Sequence, residues 1–433
     1  METIAAHTNH APPLSYNPPK DSGTNVVHLH LKSNLPHVLE TVRKHLAQTA
    51  AQYDEQGTFP FDNFRYLHTH GLLAAVVPQE YGGSGFSLAQ AQQVITAVAY
   101  AEPSTALVLT MSYLQHRLIS RSNCPWPHAT RLEVLQSAVA EGALINILRA
   151  EPELGTPARG GLPATILRRS DQGWLLSGRK IYSTGSPALR WQSVWVRTDE
   201  PQARIGVVLT PGAAYARSGV HIEETWNHLG LRASGSHDVV FDNLPVPDAH
   251  VLDLRLPQAW GEGGSAQQQD LDANRDQQAW MAILVGSIYQ AVAQAGYEWL
   301  LGFLNTRTPS ALGVPLATLP RVQHTVGEIA LLLNTGAALV AQAVQRTDAG
   351  TPPDSAEVGQ LKTIVTNNAV HALERALQLS GNHGLSRHNP LERHYRDALC
   401  GRIHTPQDDS VFTALGQQAL QQANTRPNAI PFP

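Results

Sequence analysis

Residues 395–409 read YRDALCGRIHTPQDD and gather an imidazole (His404), a hydroxyl (Thr405) and two carboxylates (Asp408, Asp409) around Pro406. These are proton-handling groups. An imidazole, with an unperturbed pKa of about 6.5, gives or takes a proton near neutrality. A carboxylate held in a dry pocket becomes a general base. The structural reading of the same stretch is a polar helix end, with His404 as a cation at a helix C-terminus. His116, in TMSYLQHRLI, is a second imidazole inside an apolar helical run, where a lone histidine more often packs than reacts. The 20 histidines otherwise lie scattered, and none of their spacings resembles a metal-ligand set.

The elements that must position these groups fall into three blocks after a Pro-, Asn- and His-rich arm at 1–34. Residues 35–141 carry helical periodicity, with Val38, Leu39, Val42 and Leu46 recurring at three and four residues. A short helix follows Pro60, and 87–119 and 129–141 read as further helices. Residues 142–256 change to short runs rich in β-branched and aromatic residues: ALINILRA, ATILRR, GWLLSG, SVWVRT, IGVVLT and HDVVF. Asp171-Gln172-Gly173 reads as a hairpin turn. The short, regular spacing predicts a small antiparallel barrel, and no Gly-rich dinucleotide fingerprint follows a strand. Residues 257–433 return to helices, at 274–305, 324–347, 355–380 and 390–403, which predict a four-helix bundle. The fold class is therefore α+β: a helical domain, a small antiparallel β-barrel and a helical bundle.

Composition narrows the function. Charge is nearly balanced, 31 basic against 35 acidic residues, with no basic run, so neither nucleic acid nor a membrane surface is an expected partner. No run of 18 apolar residues is read as a membrane span. The first 33 residues lack the basic start and apolar run of a signal peptide. Cys124 and Cys400 are too few for a disulfide framework and suit a reducing compartment, so a cytoplasmic location is expected.

Five motifs in order then resemble the acyl-CoA dehydrogenase superfamily: PQEYGGSGFS (78–87), AEPELGT (150–156), GRKIYSTGSP (178–187), TWNHLGLRASGSHDVVFDNLPVP (225–247) and LQLSGNHGLSRHNPLERHYRDA (377–398). The resemblance implies a flavin, FAD in a dehydrogenase or FMN in a monooxygenase, held against the β-domain. It places the strand through Ile147, Arg149 and Ala150, together with Thr156, along the flavin and substrate. Tyr182 stands where the family usually keeps a tryptophan against the flavin face, and Thr184 brings its hydroxyl near N5. Gln378, Gly381 and Asn382 correspond to the loop that contacts the dinucleotide of a neighbouring subunit. Arg307 corresponds to the arginine on its pyrophosphate, although RTPSALG lacks the usual phenylalanine. A homo-oligomer, dimer or tetramer, follows from that shared site. His116 falls on a helix the family packs beside flavin and substrate. Ser234 and Ser236 lie in a turn that shapes the barrel, since no base accompanies them.

The resemblance also exposes a gap. A dehydrogenase of this family takes the α-proton of an acyl thioester with a glutamate while hydride goes to the flavin. Nine positions past Arg396 stands Thr405, and seven before Gly286 stands Ala279; neither is acidic. Asp276, Asp408 and Asp409 are the carboxylates nearby. Flavin monooxygenases of the same fold lack the glutamate and carry His-Thr or His-x-x-Asp in this segment, as in RIHTPQDD. The first expectation is acyl-CoA dehydrogenation, passing electrons to an electron-transfer flavoprotein. The second is a monooxygenase fed by a flavin reductase. The third is a non-catalytic member that binds no flavin.

Overall fold

The computed structural model describes residues 31–153, 161–171, 173–260 and 268–425. The first block forms α1 (Leu35–Ala47), α2 (Ala50–Gln56), α3 (Phe61–Thr69), α4 (Leu88–Ala101), α5 (Pro103–Ile119) and α6 (His128–Glu141). α1 buries the periodic Leu35, Leu39, Val42 and Leu46, each such side chain contributing roughly 1.5–3 kcal/mol. The expected helical stretch at 87–119 is two helices. Glu102 turns to an extended conformation before Pro103, and its carboxylate accepts hydrogen bonds from the Ser104 and Thr105 amides to cap α5.

The middle block is one eight-stranded sheet: β1 (Leu144–Leu148), β2 (Ile166–Ser170), β3 (Gly173–Lys180), β4 (Leu189–Thr198), β5 (Ile205–Pro211), β6 (Val220–Glu223), β7 (Asp238–Val246) and β8 (Val251–Arg255). Its path runs β6-β7-β3-β2-β4-β5-β8, with β1 added on β4. The β2–β3 hairpin forms, Ser170 opposite Gly173; Gln172 of its turn lies outside the described residues. The all-antiparallel expectation needs correction, because β1 and β2 both pair in parallel with β4. β1 enters from α6 and runs alongside β4 without a hairpin, which leaves its other edge to α5. There the Ser112 hydroxyl exchanges hydrogen bonds with the Ile145 backbone.

The last block comprises α7 (Gln268–Thr306), α8 (Pro320–Asp348), α9 (Ser355–Ser380), α10 (Asn382–Leu385), α11 (Leu391–Leu399) and α12 (Asp408–Thr425). α7 is the spine: Ala279, Ile283, Ile288 and Val292 are buried, and the helix packs on α8, α9 and α11 as well as on α4 and α5 of the first block. α8 is the one described helix long and apolar enough, by length and composition, to cross a membrane. It packs against α7, α9 and α4 and leaves Leu331 69% exposed.

Three blocks meet at Arg396 and Asp397. The Arg396 guanidinium makes a two-pronged ion pair with Asp54 after α1 (3.0 and 2.6 Å) and also reaches Glu392. The Asp397 carboxylate accepts the Leu231 amide at 2.7 Å. A side chain at Gly230 would lie 2.3 Å from the Arg396 carbonyl, so the turn from the β-domain seats directly on α11.

Candidate active site

Tyr182 follows β3 with φ +54°, a left-handed conformation that L residues seldom adopt, and its ring is 59% exposed. Its edge meets Trp226 and His228, which stack on each other at 3.7 Å. The Ile181 amide donates to the Ala150 carbonyl at 3.0 Å, so the end of β1 and the Tyr182 turn lie side by side. Thr184 is fixed from two sides. Its carbonyl accepts Asn146 Nδ2 (3.0 Å), and its hydroxyl meets Ser236 Oγ (3.0 Å), which meets Ser234 Oγ (2.8 Å). The two serines thus shape the turn, as expected, and through it they hold Thr184. Between Tyr182 and Thr184 the Ser183 hydroxyl is buried without a hydrogen-bond partner among the described residues, a group for which a ligand would provide one.

Ile147 pairs with Ser193 of β4, and its amide is taken by Asn146 Oδ1 (2.7 Å). The Arg149 guanidinium lies over the Trp195 ring at 5.1 Å. Thr156 lies outside the described residues. Two motif residues prove structural. Lys180 and Glu151 form a buried ion pair at 2.5 Å, and Glu151 also takes Ala164 N, Thr165 N and the Thr165 hydroxyl. Burial pushes the Lys180 ammonium down to about 8, against the pull of Glu151.

The YRDALCGRIHTPQDD stretch begins in α11 and ends in the first turn of α12. His404 Nδ1 lies 3.1 Å from the hydroxyl of Tyr289, a fully buried residue of α7. Burial, with the charge of Lys362, pushes the imidazole down to about 4, so it is neutral at ordinary pH. Burial holds the Tyr289 phenol well above its usual range, so the phenol keeps its proton. Among the described residues His404 is its one hydrogen-bond partner. If His404 carried its proton on Nδ1, the buried O–H would be left without an acceptor, at a cost of about 1–3 kcal/mol. Tyr289 therefore donates to Nδ1, and His404 bears its proton on Nε2. Thr405 is exposed and makes no side-chain hydrogen bond among the described residues.

The carboxylates here are engaged. Asp408 accepts Asn367 Nδ2 at 2.7 Å and the Thr363 hydroxyl at 3.3 Å, and lies 3.5 Å from Nζ of the fully buried Lys362. Asp409 caps the Ser410 amide. Asp276, one turn before Ala279, is held by Arg121 at 2.6 Å and faces Arg117 at 3.3 Å.

His116 is buried in α5 with both ring nitrogens unpartnered among the described residues, and burial pushes it down to about 4. Val108 of that helix meets Gly185, beside Thr184. His116 lies two turns further on, about 12 Å along the axis, and so stands apart from the Thr184 turn. The dinucleotide set lies at the far end of α9. Gln378 accepts from Arg375, Gly381 ends the helix with open space around it, and Asn382 opens α10. Arg307 is exposed after α7, where Phe303 of the preceding turn meets the His383 ring at 5.1 Å. Gly381 is fourteen residues from Asn367, about 20 Å of helix. Within one chain this set and the His404 loop are separate.

Sequence reasoning missed Tyr289, Lys362 and Asn367. No local motif marks them, since each reads as one polar residue on a helix of ordinary periodicity.

A helical block, a mixed β-domain and a helical bundle, joined at Arg-Asp-Ala and carrying an exposed aromatic at a strand end, define a flavoprotein class. Family models for the N-terminal, middle and C-terminal domains of acyl-CoA dehydrogenase match residues 35–121, 147–244 and 262–407. The chain belongs to the acyl-CoA dehydrogenase superfamily. It is 31% identical over 376 residues to the putative acyl-CoA dehydrogenase YdbM of Bacillus subtilis, covering 86% of this chain and 93% of that one. It is 28% identical over 399 residues to L-evernosamine nitrososynthase of a Micromonospora species, 88% of each. The solved structure of KijD3 in complex with FMN and a dTDP-linked 3-amino-4-keto sugar aligns with a TM-score of 0.73 at 27% identity, over 93% of this chain and 95% of that one. The family is flavin-dependent, and the exposed Tyr182 ring, the β1 end and the orphaned Ser183 hydroxyl fit such a group.

Proposed function

We propose that this chain is an oxygenase that works on flavin reduced by a separate reductase, with FMN as the flavin. The observation that carries this reading is the engagement of the carboxylates. An acyl-thioester dehydrogenase needs one free to accept an α-proton. Here Asp408 is bound by α9 and Asp276 by two arginines, while the loop that would bear the base offers a neutral imidazole instead. Reduced flavin, when bound, supplies the electrons by which O2 gives one atom to substrate and one to water.

The chain's own residues supply position and a proton. Tyr182 would wall the flavin face, and Thr184, held by Asn146 and Ser236, would place its hydroxyl at the flavin edge beside the β1 end. His404, fixed by Tyr289 through Nδ1, would present Nε2–H as a donor to the reacting centre. The partner proposed is a flavin reductase. The separation of the Gln378–Asn382 loop from the His404 loop within one chain supports a homo-oligomer, and the same reading keeps the cytoplasmic location. Amino sugars, the compounds of L-evernosamine nitrososynthase and of the KijD3 complex, are the first substrates to try.

The test supplies purified chain with a flavin reductase, NADH, FMN and O2, and follows an amino-sugar nucleotide by mass spectrometry. Gain of one oxygen atom, dependent on the chain, is the expected result. Release of hydrogen peroxide alone, with every candidate substrate unchanged, would sink the oxygenase reading. The likeness to YdbM favours the second reading, acyl-CoA dehydrogenation on FAD with an electron-transfer flavoprotein as acceptor. Anaerobic mixing with acyl-CoA thioesters of several chain lengths bleaches the flavin if that reading is right.

A further inference from the structure

We propose that Asn367 is the positioning residue of the His404 loop, a clasp that closes both ends of residues 402–408 on α9 with Lys362 beneath it. This rests on the reading of His404 as the working group of the site. Asn367 Oδ1 accepts Arg402 Nε at 2.9 Å, at the start of the loop. Its Nδ2 donates to Asp408 Oδ2 at 2.7 Å, at the end of the loop. One side chain thus joins two residues six apart in sequence, and His404 hangs between them.

The same amide also donates to the Thr363 carbonyl at 3.0 Å, so its own rotamer is fixed by the helix. Thr363 and Lys362 hold the second oxygen of Asp408. Lys362 is fully buried and among the described residues has this one long contact, a placement that suits a charge left to hold the Asp408 end in place. Gly401 completes the seat: a Cβ there would press on the Tyr289 ring at 3.0 Å and on Thr366 at 3.1 Å. Beyond the loop, Val411 packs against Gly359, so α12 starts from α9 as well.

Between these anchors Ile403, at 69% exposure, and Thr405 face outward. The Tyr289 contact alone would leave His404 on a seven-residue tether. A loop pinned at both ends loses less conformational entropy when His404 docks. Asparagine suits this role because its amide presents an acceptor and a donor on one planar group. Aspartate would face Asp408 with like charge, and leucine would fill the volume with neither bond.

The test labels full-length protein with diethyl pyrocarbonate, which attacks imidazoles, and reads each histidine by peptide mass spectrometry. Exposed His221 serves as internal control. In Asn367→Leu, labelling at His404 is expected to rise about tenfold as the loop opens, with His221 unchanged. Arg402→Gln removes one arm at a partly exposed residue, does not threaten folding, and is expected to give a rise of about threefold. His404 labelling at the unaltered rate in both variants would overturn the clasp, whatever happens to turnover. The underlying reading fails separately: if His404→Ala keeps full turnover, His404 is not the working group, and labelling still decides the clasp.

Discussion

Two lysines are buried among the described residues, and they are held very differently. Lys180, in the β-domain, donates to Glu151 at 2.5 Å and to the Trp195 carbonyl, and Glu151 is saturated by Ala164 and Thr165. Lys362, in the bundle, is as deeply buried but among the described residues has one partner at 3.5 Å, and that partner, Asp408, is shared with Thr363 and Asn367. The first is a closed structural pair that ties the β1 end to β3. The second is open and adjoins the loop that carries His404. Buried charge that is fully satisfied marks what must not move; buried charge left partly satisfied marks where the fold gives up stability for position.

The largest effect should come from breaking the closed pair. Lys180→Met leaves Glu151 charged and unpartnered by any cation, and should cost about 3–5 kcal/mol in urea unfolding. A loss below about 1 kcal/mol would erase the contrast between the two lysines. Next is His404→Ala, expected to lower turnover about a hundredfold or more, with about 1–3 kcal/mol of stability lost because the buried Tyr289 hydroxyl is left without its acceptor. A fall in stability with turnover intact would make His404 a packing residue.

Lys362→Met should leave unfolding free energy within about 1 kcal/mol, because the removed ion had little compensation. Its readout is pH. His404 is faced by Tyr289 from α7 and Lys362 from α9, and Lys362 in turn meets Asp408 of α12; Lys362 lowers the imidazole's pKa, so the variant's should rise. The acid limb of the activity profile then moves to higher pH, and an unmoved or downward-shifted limb would contradict the charge's role.

The smallest effect concerns stability on acidification. Burial pushes His116 and His404 from 6.5 down to about 4 and His394 to about 3. The folded state therefore holds fewer protons, and this stability is present above about pH 6.5 and lost as pH falls through the folded values. Asp397, pushed up from 3.8 to about 7 by burial, acts oppositely: its contribution is present below 3.8 and lost as pH rises through 7. With three groups against one, the urea midpoint should fall from pH 6.5 to 4, and Asp397→Asn should steepen that fall. A midpoint that rises on acidification would show that the histidines find partners in solution.

Much of this was legible in the residues. The helix expected at 355–380 has those same bounds, because Asp354 and Glu357 form a capping box and Gly381 stops it. Strands with alternating or fully apolar runs, such as β4 and β5, stood out. β6 is four residues with no fully buried position, and β8 is a short edge strand, so neither left a clear pattern. α12 was missed because it buries Val411 and little else. At the site, His404 and Asp408 were visible as types, but their partners were not. Tyr289 is 115 residues away, and what makes it a partner is a contact across the bundle. The engagement of Asp408, which reordered the two functional readings, is likewise long-range.

Arg396 and Asp397 bond to the first block and to the β-domain, and His404 follows seven residues after Asp397 on the same stretch. That dipeptide works as a fulcrum. Rotation of the β-domain against the bundle must either break the Asp397–Leu231 bond or swing α11 with it, and a swing of α11 shifts the root of the loop. A closing movement around a substrate would therefore be transmitted to the imidazole as displacement, without any residue of the loop touching the domain that moved.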